Sequence, residues 1–310
     1  MAVVRSIDGV LAGSISATTP LVLAALGGMY TYCAGIFNIA MEGMMLSGAF
    51  GAVAGSYFGH TWLLGVVGGI GASMVLALLY VGFVIVLQTD EFVTGIALNL
   101  ASVGATTFLL RRTFHVAGAI SSSPDTYFEG VPKVNFGFLD SVPIVRAILS
   151  GHTLLDWAAV VAIVVSAFVV TRTRYGLRLR AAGYNASSLE ASGVSTKRVR
   201  VIAVLWCGVL CGLAGAFLSI GYLQVFGENM SNGRGWIALA AIVLVRGRPG
   251  AIAAICLMFG LASSIGLRAQ SLHVPPQFTD MLPYAATLVA LFMYARREQR
   301  TRRRPRLGSV

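Results

Sequence analysis

Residues 43–89, GMMLSGAFGAVAGSYFGHTWLLGVVGGIGASMVLALLYVGFVIVLQT, contain no Asp, Glu, Lys or Arg. Roughly 20 apolar residues suffice to cross the hydrocarbon core of a bilayer, which is about 30 Å thick, so this stretch can hold two transmembrane helices. Residues 9–41 are equally free of charge and can hold a third. The chain is therefore predicted to be an integral membrane protein.

The composition of the whole chain agrees with a membrane protein. Of its 310 residues, 56% are hydrophobic and only 11% are charged, which lies outside the range of soluble globular domains. The net charge is +11, but the basic residues cluster between or after apolar runs. This pattern indicates membrane topology and not the binding of nucleic acid. The four cysteines fall inside apolar segments, so we expect neither disulfides nor a metal site.

Nine apolar runs divide the chain, eight of them long and one short. They cover residues 10–32, 36–58, 62–88, 92–110, 153–171, 201–223, 236–246 (the short one), 250–268 and 281–295. The predicted fold is all-α, a polytopic integral membrane protein with about eight to ten transmembrane helices. Residues 1–295 are expected to form one transmembrane domain, and residues 296–310 a basic tail.

Charge between the runs predicts which loops face the cytoplasm. Residues 172–200 carry seven Arg or Lys against the single acid Glu190, and residues 296–306 carry seven against Glu298. Basic loops stay on the cytoplasmic side, so both segments are placed there. Residues 111–152 have no such excess and are placed outside.

The short run at 236–246 poses a problem of length. Two cytoplasmic ends require an even number of crossings between residues 200 and 296, so the run has to count as one. Eleven helical residues reach only about 17 Å, however, which is well short of the bilayer core. Either a discontinuous helix begins inside the protein after the polar residues 231–235, or an ordinary tilted helix begins near Gly227.

The basic loop has a predicted internal structure. Residues 173–184 can extend a transmembrane helix into the cytoplasm and end it near Gly183. Asn185 can cap a short helix that runs to Ser192, and Gly193 is suited to its C-terminal end. This helix is either a plain amphipathic surface helix or a docking element for a partner.

Polar residues inside the apolar runs are the candidates for function. Glu42 is the only carboxylate between residues 9 and 89, and Asn38 is expected one helical turn before it on the same face. Glu42 either hydrogen-bonds a broken helix or lines a translocation path. Asn99 lies about 12 Å along its helix from Glu91 and needs an interhelical partner or a polar substrate.

The chain carries no signature of ATP binding or hydrolysis. There is no GxxxxGK[ST] phosphate loop, and neither HExxH nor GxSxG occurs. We therefore expect no enzymatic chemistry and no bound cofactor. Arg178, Arg180 and Arg198 are interpreted as topology determinants more than as partner contacts.

Four stretches together resemble a known family. They are TPLVLAALGG at 19–28, GIFNIAMEGMM at 35–45, the loop at 175–200 and ENMSNGRGWIALAA at 228–241, with a weaker fifth, DEFVT, at 90–94. The chain resembles the permease subunits of bacterial ABC importers of the branched-chain amino acid and simple-sugar type, particularly the nucleoside and simple-sugar branch. One departure is Thr31-Tyr32-Cys33, where similar permeases carry an acid and a base.

The resemblance implies a type II ABC importer-like permease in the inner membrane of a bacterium, surrounded by lipid. It implies a cytoplasmic ATPase that holds ATP and Mg²⁺, a second permease forming a heterodimer, and an extracytoplasmic binding protein. The segment expected to couple to the ATPase comprises Gly183, Tyr184, Asn185, Ala186, Ser187, Ser188, Leu189, Glu190, Ala191, Ser192 and Gly193.

The substrate pathway is expected at residues of three regions of the chain: Asn38, Glu42, Asn99, Glu228, Asn229, Asn232 and Trp236. The last four could contact a nucleobase and a ribose, or could simply form a capped helix entrance with an interfacial tryptophan. The expected cargo is a nucleoside or simple sugar. The alternatives are a branched-chain amino acid or another small polar solute, and an ion-coupled secondary transporter that uses Glu42.

Overall fold

The computed structural model describes residues 2–270, except residue 125 and residues 135–149, together with the isolated positions 285, 292 and 296. The described residues contain ten α-helices. They are α1 (Ala2–Cys33), α2 (Met41–Gly59), α3 (Trp62–Tyr80), α4 (Glu91–Phe114), α5 (Leu154–Arg172), α6 (Arg174–Tyr184), α7 (Ala186–Ala191), α8 (Thr196–Ala216), α9 (Arg234–Leu244) and α10 (Pro249–Gln270). This helical architecture confirms the predicted fold class.

Five helical segments of the described residues are long and apolar enough to cross a membrane. Two of them include a π-helical extension, Val81–Val86 after α3 and Phe217–Leu223 after α8. The five are Trp62–Val86, Glu91–Phe114, Leu154–Arg172, Thr196–Leu223 and Pro249–Gly266. The predicted span 281–295 and the tail 296–310 lie outside the described residues, apart from positions 285, 292 and 296, so the domain division stays a prediction.

Small residues let the central helices approach closely. A Cβ at Gly48 of α2 would lie 2.9 Å from Cα of Gly212 in α8, and one at Gly51 would lie 2.5 Å from the carbonyl oxygen of Gly68 in α3. Such backbone contacts are typical of packing between membrane helices, where van der Waals contact replaces the hydrophobic driving force. Helix α2 is consequently held in the centre, between α3 and α8.

Two short antiparallel sheets stand beside the helices. In the first, β1 (Ala119–Ser121) pairs with β4 (Val225–Gly227), and Ile120 lies opposite Phe226. In the second, β2 (Lys133–Val134) pairs with β3 (His152–Thr153). The first sheet connects the predicted external loop to the segment that precedes α9.

Two helix boundaries differ from the sequence prediction. Helix α2 begins at Met41 and not at residue 36, because Gly35 has a positive φ of 75° and Asn38 binds the Ala40 N–H. Residues 173–184 do not continue the preceding helix, because Thr173 has extended backbone (φ −98°, ψ 158°) and its side chain caps α6 by accepting from the Gly176 N–H.

The short helix at 234–244 decides between the two interpretations of this region. Helix α9 has eleven residues, and Gly227, where a tilted helix would have begun, lies in strand β4. The discontinuous helix is confirmed, and the tilted ordinary helix is wrong. Turn residues separate β4 from α9, with Asn229, Asn232 and Gly233 all at positive φ.

Candidate functional site

The N-terminus of α9 receives a carboxylate from α2. Glu42, which is 8% exposed, accepts hydrogen bonds from two backbone amides: Gly233 N–H donates to Oε1 over 2.8 Å and Gly235 N–H to Oε2 over 2.6 Å. The first amides of a helix have no intrahelical partner, and the helix dipole favours a negative charge beside them. Glu42 thus satisfies two amides that would otherwise be left without an acceptor inside the protein.

Glycine at position 235 is what allows this approach. A Cβ there would lie 2.7 Å from both the backbone nitrogen and Cα of Glu42. No side chain fits at that distance, so α9 begins directly against α2. The Glu42 contact matches the structural interpretation of this residue, which the sequence analysis had weighed against a role in lining a path.

The N-terminus of α2 is bound in turn by α4. Asn99 Oδ1 accepts from the Gly43 N–H over 2.8 Å, and Asn99 Nδ2 donates to the Ile39 carbonyl over 3.1 Å. One turn further along α4, Ser102 Oγ donates to the Gly43 carbonyl over 2.8 Å. The Asn99 amide therefore has interhelical backbone partners, which is one of the two possibilities that the sequence left open.

A cavity of about 260 Å³, with both polar and apolar lining residues, lies where these two helix ends meet. Four of the predicted pathway residues line it: Glu42, Asn99, Asn229 and Trp236. The lining also includes Gly43, Leu46, Ile96, Leu100, Val103 and Gly233. Drug-sized ligands generally occupy roughly 300 Å³ or more. In this conformation the cavity can hold only a small solute, next to hydrogen-bonding groups and an indole ring.

The other three predicted pathway residues are not among those that line the cavity. Asn38 lies before α2 and not on its face, so the prediction that it shares a helical face with Glu42 is wrong. Its side chain is 2% exposed, accepts from the Ala40 N–H over 3.0 Å and contacts Cys207 Sγ at 3.4 Å. Asn38 therefore shapes the chain that leads into α2.

Glu228 and Asn232 belong to the turn region before α9. Glu228 Oε1 accepts from the Gly118 N–H over 3.2 Å and lies 3.5 Å from Arg111 Nη2, beside the sheet of β1 and β4. Asn232 has a φ of 43°, and its N–H donates to the Asn229 carbonyl over 3.0 Å. These residues fold the turn that presents Asn229 and Gly233 to the cavity.

Sequence reasoning missed the glycines and Ser102. Gly43, Gly233 and Gly235 act through their backbone amides, which carry no residue-type signal. Ser102 could have been found, because it follows Asn99 at a helical spacing of three and puts two polar side chains on one face of α4. Among the described residues no group of three or more His, Cys, Asp or Glu could hold a metal ion.

The predicted cytoplasmic coupling segment forms a compact corner. Asn185 caps α7 by accepting from the Ser188 N–H over 3.1 Å, and Gly193 follows the helix with a φ of 81°. Leu189 is buried and anchors α7, while Tyr184 is 92% exposed. The remaining members, Gly183, Asn185, Ala186, Ser187, Ser188, Glu190, Ala191, Ser192 and Gly193, are exposed or half-buried.

Gly183 fixes this corner to the end of α1. A Cβ at Gly183 would collide with the carbonyl oxygen of Cys33 and lie 3.1 Å from the Gly35 nitrogen. Nearby, Arg200 Nε donates to the Ala34 carbonyl over 3.3 Å. Tyr175 is packed in the same corner, and burial raises the pKa of its hydroxyl. Gly183, at the end of α6, thus joins the corner to α1 through backbone contact.

Several proteins of known name are similar to this chain over most of its length. A nucleoside ABC transporter permease protein of Lactococcus lactis is 28% identical and covers 95% of this chain and 94% of its own. A guanosine ABC transporter permease protein of Bacillus subtilis is 27% identical, over 94% and 93%. A Haloferax volcanii protein, provisionally named a glucose ABC transporter permease protein, is 32% identical, over 91% and 90%.

No solved structure gives a significant match to the chain. The family model described as the permease component of the branched-chain amino acid transport system matches residues 10–291. This match spans nearly the whole chain, including the cavity and the cytoplasmic corner. The chain therefore belongs to the family of permease components of branched-chain amino acid transport systems, and it is a multi-pass protein of the cytoplasmic membrane.

Proposed function

We propose that this chain is the permease subunit of an ABC importer and that it conducts nucleosides or related simple sugars. The observation that carries the proposal is the cavity at which the discontinuous helix α9 meets the N-terminus of α2, lined by Glu42, Asn99, Asn229 and Trp236. Broken helices in transporters end at the substrate path, where irregular backbone can face a solute instead of lipid. The names of relatives that align over almost their full length support the choice of cargo.

The pathway runs past Trp236 and Asn229 on its way to Glu42 and Asn99. The indole face of Trp236, which is 41% exposed, can stack on a flat base or a sugar ring. Asn229 can exchange hydrogen bonds with hydroxyl groups. Glu42 and Asn99 hold the helix ends in place, so they contribute to the shape of the path and not to strong binding of the cargo.

Energy enters from the cytoplasmic side. ATP and Mg²⁺ are held by a separate ATPase, which docks on α7 and moves it. Because Gly183 touches Cys33, the movement reaches α1 and the helices packed on it. A second permease completes the conduit as a heterodimer, and an extracytoplasmic binding protein delivers the cargo. Branched-chain amino acids or another small polar solute remain the alternative cargo within this scheme.

The competing function is an autonomous carrier driven by protons, with Glu42 as the coupling carboxylate. The two amide hydrogen bonds of Glu42 speak against it, because a group that must load and release a proton would break a helix cap in every cycle. Only the carrier predicts that Glu42→Gln abolishes the pH dependence of uptake. If the chain is an importer subunit, the Glu42→Gln variant should keep the pH dependence of uptake, even where its uptake rate is lower.

Uptake by the reconstituted importer tests the proposal. The chain, its ATPase, its partner permease and its binding protein are placed in liposomes, and ATP-dependent uptake of labelled guanosine, glucose and leucine is compared. Trp236→Ala should lower uptake of the preferred cargo at least tenfold without changing basal ATP hydrolysis. Trp206→Ala is the matched control, since Trp206 is 46% exposed, stacks on Tyr30 and does not line the cavity.

Two results would contradict the proposal. Uphill uptake by the chain alone, driven by an ion gradient, would replace the importer with a secondary transporter. Equal uptake by the Trp236 and Trp206 variants would show that the cavity is not part of the substrate pathway.

A further inference from the structure

A second cavity, of about 450 Å³, lies at the cytoplasmic end of the helices. It is bounded by the ends of α1 and α5, by α6 and by the turn between α9 and α10. Thr171, Arg180, Arg246 and Arg248 are among the residues that line it. Gly183 and Tyr184 of the predicted coupling segment also line this cavity, but the proposed function assigns no role to its arginines, and the sequence analysis had interpreted Arg180 only as a topology determinant.

The charged residues that line this cavity are all positive. Three arginines from two separate segments converge on it, and among the described residues its lining contains no Asp or Glu. All three arginine residues are exposed, and the Nε of Arg180 donates to the Gly176 carbonyl over 3.4 Å. Guanidinium groups bind phosphate oxygens through paired N–H donors, so a concave surface with three of them suits a phosphate group.

The backbone at Arg246 supports a role for its side chain. Arg246 has a φ of 53° in the turn that closes α9, and the following Gly247 has a φ of 70°. Residues other than glycine rarely adopt this left-handed conformation, and asparagine or glycine would fit the turn with less strain. Strained backbone tends to be kept where the side chain is used.

The surface beside the cavity is apolar and faces away from the protein. Val161, Val164 and Phe168 of α5 are each more than half exposed, and their helical spacing puts them on the face that ends at Thr171. The distance from Val161 to Thr171 along the helix is about 15 Å, half the thickness of the hydrocarbon core. An apolar strip one leaflet long thus leads to a cationic cavity at the membrane surface.

We propose that this cavity binds the phosphate group of an anionic phospholipid from the cytoplasmic leaflet, with the acyl chains along Val161, Val164 and Phe168. Cationic pockets between transmembrane helices on the cytoplasmic side are suited to anionic headgroups. The strip on α5 selects a lipid over a soluble phosphate compound. A bound headgroup would touch Gly183 and Tyr184 and would neighbour the cytoplasmic corner.

Lipid binding to the assembled transporter is the direct test. The complex is delipidated in detergent, and phosphatidylglycerol or phosphatidylcholine with identical chains is titrated under native mass spectrometry. Each of Arg180→Gln and Arg248→Gln should weaken phosphatidylglycerol binding about fivefold, the contribution of one basic residue near an anionic surface. Arg246→Asn should weaken phosphatidylglycerol binding by a similar factor, and the variant should still fold, because asparagine tolerates the left-handed conformation at this position. Phosphatidylcholine binding should not change.

The matched controls are Arg178→Gln and Arg198→Gln, which remove exposed arginines of the same cytoplasmic face that do not line the cavity. If the cavity variants and the control variants bind phosphatidylglycerol equally well, the cavity is not the lipid-binding site. Displacement of the lipid by millimolar inorganic phosphate alone would overturn the lipid assignment and leave a soluble-anion site. Since the readout is binding and not uptake, either result is independent of the cargo.

Discussion

Glu42 is the residue that caps the N-terminus of α9. Replacing Glu42 with Gln keeps one acceptor but turns an amide group toward the second backbone N–H. The unsatisfied N–H should lower the free energy of unfolding by roughly 1–3 kcal/mol. Denaturation of the purified protein in detergent measures this loss.

Glu190→Gln is the control for that experiment, because Glu190 is exposed on α7 and its replacement should leave stability unchanged. If both variants denature at the same point, the Glu42 carboxylate does not cap α9. A loss of stability in Glu42→Gln alone would establish the cap independently of any transport measurement.

Replacing Tyr175 or Tyr30 with Phe should change the free energy of unfolding in opposite directions. The Tyr175 hydroxyl is buried and has no hydrogen-bond partner among the described residues, whereas the Tyr30 hydroxyl donates to Ser166 Oγ over 3.2 Å. Tyr175→Phe removes an unsatisfied polar atom and should raise the free energy of unfolding by about 1 kcal/mol. Tyr30→Phe should lower it by a similar amount. A loss of stability in both variants would indicate that Tyr175 has a partner after all.

At the scale of elements, the break at Thr173 and the contact at Gly183 separate the cytoplasmic corner from α5 and join it to α1. Gly183→Ala should force the corner away from Cys33, because backbone atoms cannot yield to the new Cβ. We expect ATP hydrolysis to persist while uptake falls at least tenfold in the reconstituted importer.

The control at this scale is Gly71→Ala, a glycine of α3 with open space around the added Cβ. It should leave both activities unchanged. Should Gly183→Ala retain the wild-type ratio of uptake to hydrolysis, the contact with α1 is not the route of coupling.

The sequence predicts elements well where charge and length constrain them. The short helix α9 followed from counting crossings between two basic segments, and Asn185 and Gly193 identified the ends of the helix that includes α7. The start of α2 could not be predicted, because residues 36–40 are as apolar as the helix itself. Neither could the Asn99 contact with Gly43, since a hydrogen bond across 56 residues depends on packing and not on pattern.

At the scale of the whole molecule, the order of helices predicts the membrane topology. Counting α1 and α2 as crossings together with α3, α4 and α5 gives five crossings before the basic corner at α6 and α7, so the N-terminus and the loop after α4 should lie outside. A single cysteine at Ser188 should react with an impermeant maleimide only from the cytoplasmic side, and one at Ala117 only from outside. Cys33→Ser is the suitable background, because the other native cysteines are buried.

If both positions were labelled from the same side, the chain between α4 and α7 would have to cross the membrane an even number of times and not once. Helix α5 would then lie along the membrane surface and not across it. That result would also remove the apolar strip from contact with a single leaflet.

The pairing of β1 with β4 has a mechanical consequence. Strand β4 ends at Gly227, and only the six residues 228–233 separate it from the first residue of α9. A partner bound to Ala119–Ser121 would therefore be connected, through β4 and this short segment, to Gly233 in the lining of the cavity. We expect docking of the proposed binding protein on this sheet to move the N-terminus of α9, and a disulfide between the two strands should allow docking but reduce release of the cargo.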